Sequence, residues 1–392
     1  MKRYDIIISG GGMIGSIAAV AAIKAGFSVL LIEAGKMKKL NPDSQRDLRV
    51  SAISWDNICT LKDLGIYSHL LAARIQAYTQ MKVWDNRATN HTTAKIEFEA
   101  DFSQQQCLGY LMENNNLVQA AWHTLKHGNN CDFIEENSIK NIENDGLQIR
   151  VELNNGDSYK SRLLIAAEGR NSFVRKSAGI NIKEKPYGQR GLVAYIKLEK
   201  APAETALQAF NDGGPIGILP IENNVFSIVW SLPEGKHSHW LNCSKLDFEE
   251  GVTQAIAHDF GAVKLISERA AFPLTQLDAE KYFLNRIVLC GDSAHGVHPL
   301  AGQGVNLGIG DIKQLFSLLD LNILKDQELL RISLRKYQRR RISKVKETSQ
   351  MMSLLHHLFV DDSHIKKPIR TLGLNLLNNS PIKKWFIQQA GS

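Results

Sequence analysis

Residues 4–9 (YDIIIS) form a short apolar run, and residues 28–33 (SVLLIE) form another. Both have the length of buried strands. Between them Ser16–Gly26 is Ala-rich and ends at a glycine, which predicts a helix. Strand, helix and second strand fit within about 30 residues, the span of a βαβ crossover. Further along, residues 80–110 and 147–165 carry alternating or β-branched runs such as LQIRVEL and YKSRLLIAA. From about 186 to 275 the stretches GLVAYIKLE, IGILPI and VFSIVWSL are bounded by Gly, Pro and Asn, which predicts a sheet-rich second domain. Residues 286–311 (RIVLCGDSAHGVHPLAGQGVNLGIGD) read as strand, glycine-rich loop and helix. Beyond about residue 312 the pattern is helical to the end, interrupted at Pro368 and Pro381. No tandem repeat or low-complexity linker separates these regions, so the domains are expected to interleave.

The length of 392 residues suits two or three domains. With 44% hydrophobic and 22% charged residues, disorder and collagen-like repeats are excluded as classes. A net charge of +7 is modest for this length and gives no basic stripe of the kind a nucleic-acid binder needs. The uncharged stretch Ile6–Ile23 follows Lys2 and Arg3 as an export signal would, but it holds four glycines (10, 11, 12 and 15) in its first half. That points to a strand–turn–helix and away from a signal or anchor. Five cysteines, at 59, 107, 131, 243 and 290, include no CxxC and suit a reducing compartment. The expected location is cytoplasmic, with a peripheral position on the inner face of the membrane left open.

Gly10-Gly11-Gly12-Met13-Ile14-Gly15 is a GxGxxG pattern placed after a strand and opening a helix. In this pattern the first glycine permits the tight turn, the second lets the backbone approach a pyrophosphate, and the third lets helix and strand pack closely. Met13 and Ile14 sit where the helix begins. Glu33 ends the second strand, 18 residues after Gly15, where a carboxylate can accept hydrogen bonds from ribose hydroxyls, and Ala34 follows it. NAD and FAD share this fingerprint, so the motif alone leaves the dinucleotide open. A second loop narrows the choice. Asp292, after Gly291, could hydrogen-bond a sugar-like chain. The run from Pro299 through Gly302, Gly304, Val305 and Asn306 could present backbone N–H groups at a helix start, which favours an electron-rich ring atom.

GDSAHGVHPLAGQGVNLGIGD closely resembles the GD-x-AH-x3-P-x-x-GQG-x-N signature of group A flavoprotein monooxygenases. Its wording is similar to the ubiquinone-biosynthesis hydroxylase branch (UbiH, UbiF, VisC and Coq relatives). Supporting segments are Asp47-Leu48-Arg49-Val50-Ser51-Ala52-Ile53, Tyr187-Gly188-Gln189, the Gly214-Pro215…Leu219-Pro220 run and the ending LGLNLLNNSPIKKWFIQQA. The resemblance implies FAD as cofactor, with Arg49 lying along it and Gln119 contacting the flavin. The family's ADGxxSxVR segment is here Ala167-Glu168-Gly169-Arg170-Asn171-Ser172-Phe173-Val174-Arg175, so Glu168 replaces the usual aspartate and adds a methylene beside the pyrophosphate. Asn116 stands where many members carry arginine.

The implied fold is α/β: an FAD-binding Rossmann-like domain of the glutathione-reductase/p-hydroxybenzoate-hydroxylase type, with an inserted β-sheet substrate domain and C-terminal helices. The FAD domain is expected at 1–75, 105–180 and 275–340, the substrate domain at 76–104 and 181–274, and the helices at 341–392. The implied reaction is hydroxylation of a polyprenyl-phenol ring by dioxygen in ubiquinone biosynthesis, through a flavin C4a-hydroperoxide, with NAD(P)H or a ferredoxin as reductant. No side chain stands out as an obligate acid or base. Three other readings remain: a hydroxylase of a small soluble aromatic, an NAD-dependent dehydrogenase, and a non-catalytic flavin-bound subunit of a quinone-synthesis complex.

Two clusters need separate readings. His295 and His298 have HxxH spacing, but Pro299 follows and no third ligand is evident, so no metal is expected. His356-His357 beside Asp361 and Asp362 read as surface residues. Residues 331–350 hold eight Lys/Arg against Glu347, centred on Arg339-Arg340-Arg341. They form either a solvated helix face, a face packed against an acidic surface of the same protein, or a contact surface for anionic lipid or an acidic partner, including a quinone-biosynthesis complex.

Overall fold

A computed structural model describes residues 1–86, 95–100, 105–126, 130–200, 202–211, 213–256, 260–297 and 303–360. The N-terminal crossover forms as β1 (Arg3–Ser9), α1 (Met13–Lys24) and β2 (Val29–Ile32). There follow β3 (Val50–Ser54), α2 (Trp55–Asp63), β4 (Ile75–Tyr78), β5 (Gln80–Asp85), β6 (Lys95–Glu99) and β7 (Gly109–Glu113). Next come α3 (Asn114–Lys126), β8 (Cys131–Ile134), β9 (Ile139–Asn144), β10 (Ile149–Leu153), β11 (Ser158–Ala166) and α4 (Phe173–Ser177). The middle of the chain supplies β12 (Ile182–Leu198), β13 (Thr205–Phe210), β14 (Ile216–Glu222) and β15 (Val225–Pro233). After these come α5 (Glu234–Asn242), α6 (Lys245–Ala255), β16 (Val263–Leu265) and β17 (Ala270–Ala279). Last are β18 (Phe283–Leu284), β19 (Ile287–Leu289), β20 (His295–Gly296), α7 (Gln303–Phe316), α8 (Leu321–Lys325) and α9 (Gln327–Val360).

The first sheet has the order β18-β19-β11-β1-β2-β8, with β10 on β11 and β9 on β10. Its five central strands, β19, β11, β1, β2 and β8, run parallel. A parallel sheet is covered on both faces, which is why β1 reads as an unbroken apolar run: Ile6, Ile7 and Ile8 are fully buried. The covering helix α1 buries Ala18, Ala19, Ala21 and Ala22. Side chains this small let it lie close to the sheet. Parallel strands also point their carboxyl ends the same way, so the loops after β1, β2, β11 and β19 gather along one edge.

The second sheet has the order β20-β17-β12-β15-β14-β13-β5-β6, with β16 on β12. One face carries Leu192, Ile196, Ile218, Ile228 and Trp230 and packs with Phe248 and Val252 of α6. By strand alternation the other face of its central strands carries Gly191, Val193, Tyr195, Leu219, Ser227 and Ser231, none of them charged. A small antiparallel sheet, β3-β7-β4, meets that face: Ala52 and Leu111 pack with Tyr195, Ile221 and Val225.

Hydrogen-bond ladders cross two of the boundaries expected from the sequence. The 75/76 boundary cuts β4, which pairs with β7 of the small sheet. The 274/275 boundary cuts β17, which pairs with β12 as far as Ala279, and β20 returns to the second sheet after β19 has joined the first. α9 runs through residue 341 without a break. The helices α5 and α6 lie inside the region read as a sheet-rich domain. Residues 361–392, with Pro368, Pro381, Asp361 and Asp362, lie outside the described residues, as do the side chains of His356 and His357.

Candidate functional site

The site is assembled from loops at the carboxyl edge of the parallel sheet. In the first, each glycine has a different task. Gly10 turns with φ +101°, and a Cβ there would lie 2.5 Å from the Ala167 carbonyl oxygen. A Cβ on Gly15 would lie 1.8 Å from the Gly10 oxygen, so α1 can approach the turn only without one. A Cβ on Gly12 would meet nothing within 4 Å. Packing therefore requires Gly10 and Gly15, whereas Gly12 borders open space. Glu33 reaches across from β2: Oε2 accepts from Gly11 N at 2.5 Å and Oε1 from Gly35 N at 2.7 Å. A carboxylate has about four lone-pair sites, so acceptor capacity remains for ribose hydroxyls. Ala34 is exposed beside it.

The loops after β11 and β19 are cross-linked. Gly169 N donates to Ser293 Oγ at 3.1 Å, and buried Arg175 donates to the carbonyls of Ser293 at 3.0 Å and Arg170 at 2.7 Å. Asp292 projects from this braced pair. It is open to solvent yet set deep among protein atoms, and desolvation raises its carboxyl pKa against the opposing pull of His295, Arg170 and Arg49. Accessibility combined with depth is the mark of a cleft floor. Among the described residues Gly169 and Gly304, like Gly12, have no atom within 4 Å of where a Cβ would stand. Such a cleft, with three glycines bordering open space, fits an elongated ligand such as FAD.

Several of the residues expected at the cofactor also have partners within the protein. Ile14 packs inward, next to Gly291 and Gly308, where added Cβ atoms would come within 3.0 and 2.6 Å of it. Met13 and Val305 pack against the same core. Glu168 Oε1 accepts from Ser9 Oγ at 2.6 Å, and Oε2 accepts from Ser172 Oγ at 2.6 Å and Val174 N at 3.0 Å. The extra methylene thus serves to brace β1 against α4. Gln119 pairs both ends of its amide with the Leu40 backbone, at 2.5 and 3.1 Å. Asn306 binds Ser54 N, Asn57 Nδ2 and the Ala52 carbonyl, joining α7 to β3 and α2. Arg49 is exposed in the segment before β3. Asn116 is buried and holds the backbone of Leu71 and Arg74. Pro299 and Gly302 lie outside the described residues, as does His298.

Three supports were missed in the sequence. Trp122 Nε1 donates to the Gly11 carbonyl at 2.9 Å and Ser16 Oγ at 2.8 Å, fixing the first loop from α3. Beneath the Asp292 loop, buried Asp311 accepts from Gly291 N at 2.8 Å, binds His295 Nε2 at 2.7 Å and binds Arg341 Nε at 2.6 Å. Burial alone would raise the Asp311 pKa, but the charges of His295 and Arg341 and the bond from Gly291 hold it below the ordinary value. Arg341, read as the centre of a basic surface, is therefore an internal ion-pair partner. The third is Arg175, which ends the ADGxxSxVR segment without a role that the sequence discloses, and which is buried.

The description "FAD binding domain" applies to a family whose profile matches residues 3–350. The chain belongs to this FAD-binding family. This flavoprotein is 34% identical over 316 residues to the 3-demethoxyubiquinol 3-hydroxylase of Escherichia coli, covering 80% of the chain and 79% of the relative. It is 29% identical to the mitochondrial ubiquinone biosynthesis monooxygenase COQ6 of Drosophila melanogaster, covering 99% and 90%. Its fold is similar to PqsL of Pseudomonas aeruginosa, with a TM-score of 0.79 at 21% identity, covering 95% of this chain and all of that one. The flavoprotein is thus an FAD-dependent monooxygenase of the group A type, with the fold that its sequence implied. Among the described residues no helix is long and apolar enough to cross a membrane.

Proposed function

We propose that the protein hydroxylates the aromatic ring of a polyprenyl-phenol intermediate of ubiquinone biosynthesis, using dioxygen and FAD reduced by NADH or NADPH. Bound FAD supplies the redox and oxygen chemistry. The chain's own residues bind, orient and shield. Gly10, Gly12, Gly15 and Glu33 are proposed for the ADP half of the cofactor. Arg49, Asp292 and the start of α7, from Gly304 onward, are proposed for the flavin half. In this reading Gln119, Glu168 and Asn306 position these groups from behind.

The observation that supports the substrate class is the apolar seam where Tyr195, Leu219, Ile221 and Val225 of the second sheet pack with Ala52 and Leu111 of the small sheet. A neutral ring with an apolar tail meets no unpaired charge there, and a dry site protects an oxygen-activating cofactor from water. The exposed basic residues of 331–350 are proposed to touch the bilayer in which such a substrate dissolves, with an acidic partner protein as the competing occupant. The test is the absorbance spectrum of purified protein before and after anaerobic NADH or NADPH. Flavin bands that bleach faster with a prenylated phenol than without support the proposal. Flavin that bleaches only with a ferredoxin system reassigns the reductant. Flavin that no reductant bleaches, or a colourless protein unable to bind FAD, overturns it.

A further inference from the structure

Glu113, at the end of β7, is buried and grips the segment that leads into β3. Nη1 of buried Arg74 lies 3.0 Å from both of its carboxylate oxygens, and it accepts from Asp47 N at 2.7 Å. Arg74 in turn donates to the carbonyls of Pro42 and Ser44. The charges of Glu113 and Arg74 cancel, so Arg46, 3.5 Å from Glu113, takes its close partner elsewhere. That partner is Glu222 at the end of β14, 2.6 Å away. An irregular hairpin aims it. The register of β14 against β15 shifts between Pro220 and Glu222, and Asn224 in the turn has φ 61°. A shift of this kind places an extra residue in one strand and re-aims a side chain. Ile221 joins the contact with Ala52 and Leu111, while Glu222 reaches Arg46.

The two arginines of this segment therefore face different surroundings. Arg46 is engaged by carboxylates from two sheets, whereas Arg49, three residues on, is exposed. Burial raises the Asp292 pKa, and the charge of Arg49 is among those that oppose it, so Arg49 acts toward the cleft floor. We propose that Arg46 and Glu222 are positioning residues for Arg49: their ion pair fastens the segment before β3 to the second sheet and holds Arg49 ready for the flavin half of FAD. This rests on the placement of Arg49 proposed above. The Glu222 side chain is 51% exposed, and a pair so exposed adds little to global stability. Its effect belongs in cofactor affinity, which falls with the fraction of chains that hold the binding-competent arrangement.

FAD binding to stripped full-length protein is titrated for wild type, Glu222→Gln, Arg46→Gln and the double variant, at low and high salt. Glu222→Gln should weaken FAD about two- to fivefold, the range of a part-exposed pair. In the Arg46→Gln background the same change should have no effect, because the two side chains act as one unit. High salt should erase the wild-type advantage over Glu222→Gln, since an exposed pair is screened. Melting temperatures of the stripped proteins should differ by less than about 3 °C. Visible circular dichroism of the bound flavin should shift in Glu222→Gln in the same sense as in Arg49→Gln. Equal effects of Glu222→Gln in both backgrounds, or an unshifted spectrum, would overturn the pair. Arg49→Gln should itself weaken FAD at least about tenfold, as loss of a charged hydrogen bond does. A smaller loss would overturn the proposal together with the placement of Arg49. A full loss there, with Glu222→Gln at wild-type affinity, would overturn the pair alone.

Discussion

Gly12 and Gly15 lie three residues apart and differ in what a side chain would meet. At Gly15 a Cβ collides with the Gly10 carbonyl at 1.8 Å, so Gly15→Ala should destabilise the fold by about 3 kcal/mol, the upper range for overpacking. At Gly12 it enters open space, and with φ −68° the backbone suits any residue. Gly12→Val should therefore keep its melting temperature without FAD but purify colourless. A yellow Gly12→Val protein with wild-type flavin content would remove this loop from the cofactor site. The contrast also marks what a sequence can disclose. The GxGxxG spacing and Glu33 were legible because turn, crossover and carboxylate are local features. Gln119, Glu168 and Asn306 were legible as members of a motif but not in what they bind, since Leu40, Ser9 and Ala52 are brought to them only by the tertiary fold. Trp122 was illegible for the same reason: its partner Gly11 is 111 residues away.

At the scale of elements, α7, α9 and the Asp292 loop meet at Asp311. Removing one member of a buried ion pair leaves the others uncompensated, so Asp311→Asn should cost about 3 kcal/mol at pH 7. The pH dependence follows from the lowered pKa of Asp311. A depressed folded-state value contributes stability above the unfolded carboxylate pKa of about 3.9, and that contribution is lost as pH falls through the folded value. Urea melts at pH 7 and pH 3 should therefore show a large gap between wild type and variant that narrows in acid. A gap independent of pH would mean that packing, not charge, accounts for the loss. Arg341→Met should likewise loosen α9, seen as faster amide exchange across 327–350, because its guanidinium also holds the Leu307 carbonyl at 2.9 Å. The run of eight basic residues shows why this was hidden. Charge composition alone reads 331–350 as surface, yet a helix turns one residue in three or four inward, and Leu334, Tyr337, Arg341 and Val345 are among the buried ones. Arg341 lies on the face that the apolar residues define.

For the whole molecule, a seam between the second sheet and the small sheet lies beside the segment that carries Arg49. Tyr195 of β12 packs against Ala52 and Leu111 and donates its hydroxyl to the Asp47 carbonyl, two residues before Arg49. Burial raises the Tyr195 pKa above its ordinary value, so the hydroxyl keeps its proton and remains a donor throughout the working range. Because FAD binds the folded chain, hundredfold excess over its dissociation constant should stabilise stripped protein by about 2.7 kcal/mol. That gain should depend on the seam. Tyr195→Phe removes one hydrogen bond while keeping the ring, costing about 1 kcal/mol, and should barely change the melting temperature of stripped protein. It frees the Arg49 segment, however, so FAD affinity should fall several-fold and more peroxide should be released per reductant oxidised, as water reaches a looser site. Calorimetry with FAD and a peroxide assay read these two effects separately. If both stayed at wild-type values, the seam would be only a packing contact, and the alignment of the Arg49 segment would have to come from Glu113, which accepts from Asp47 N at 2.7 Å within the first part of the chain.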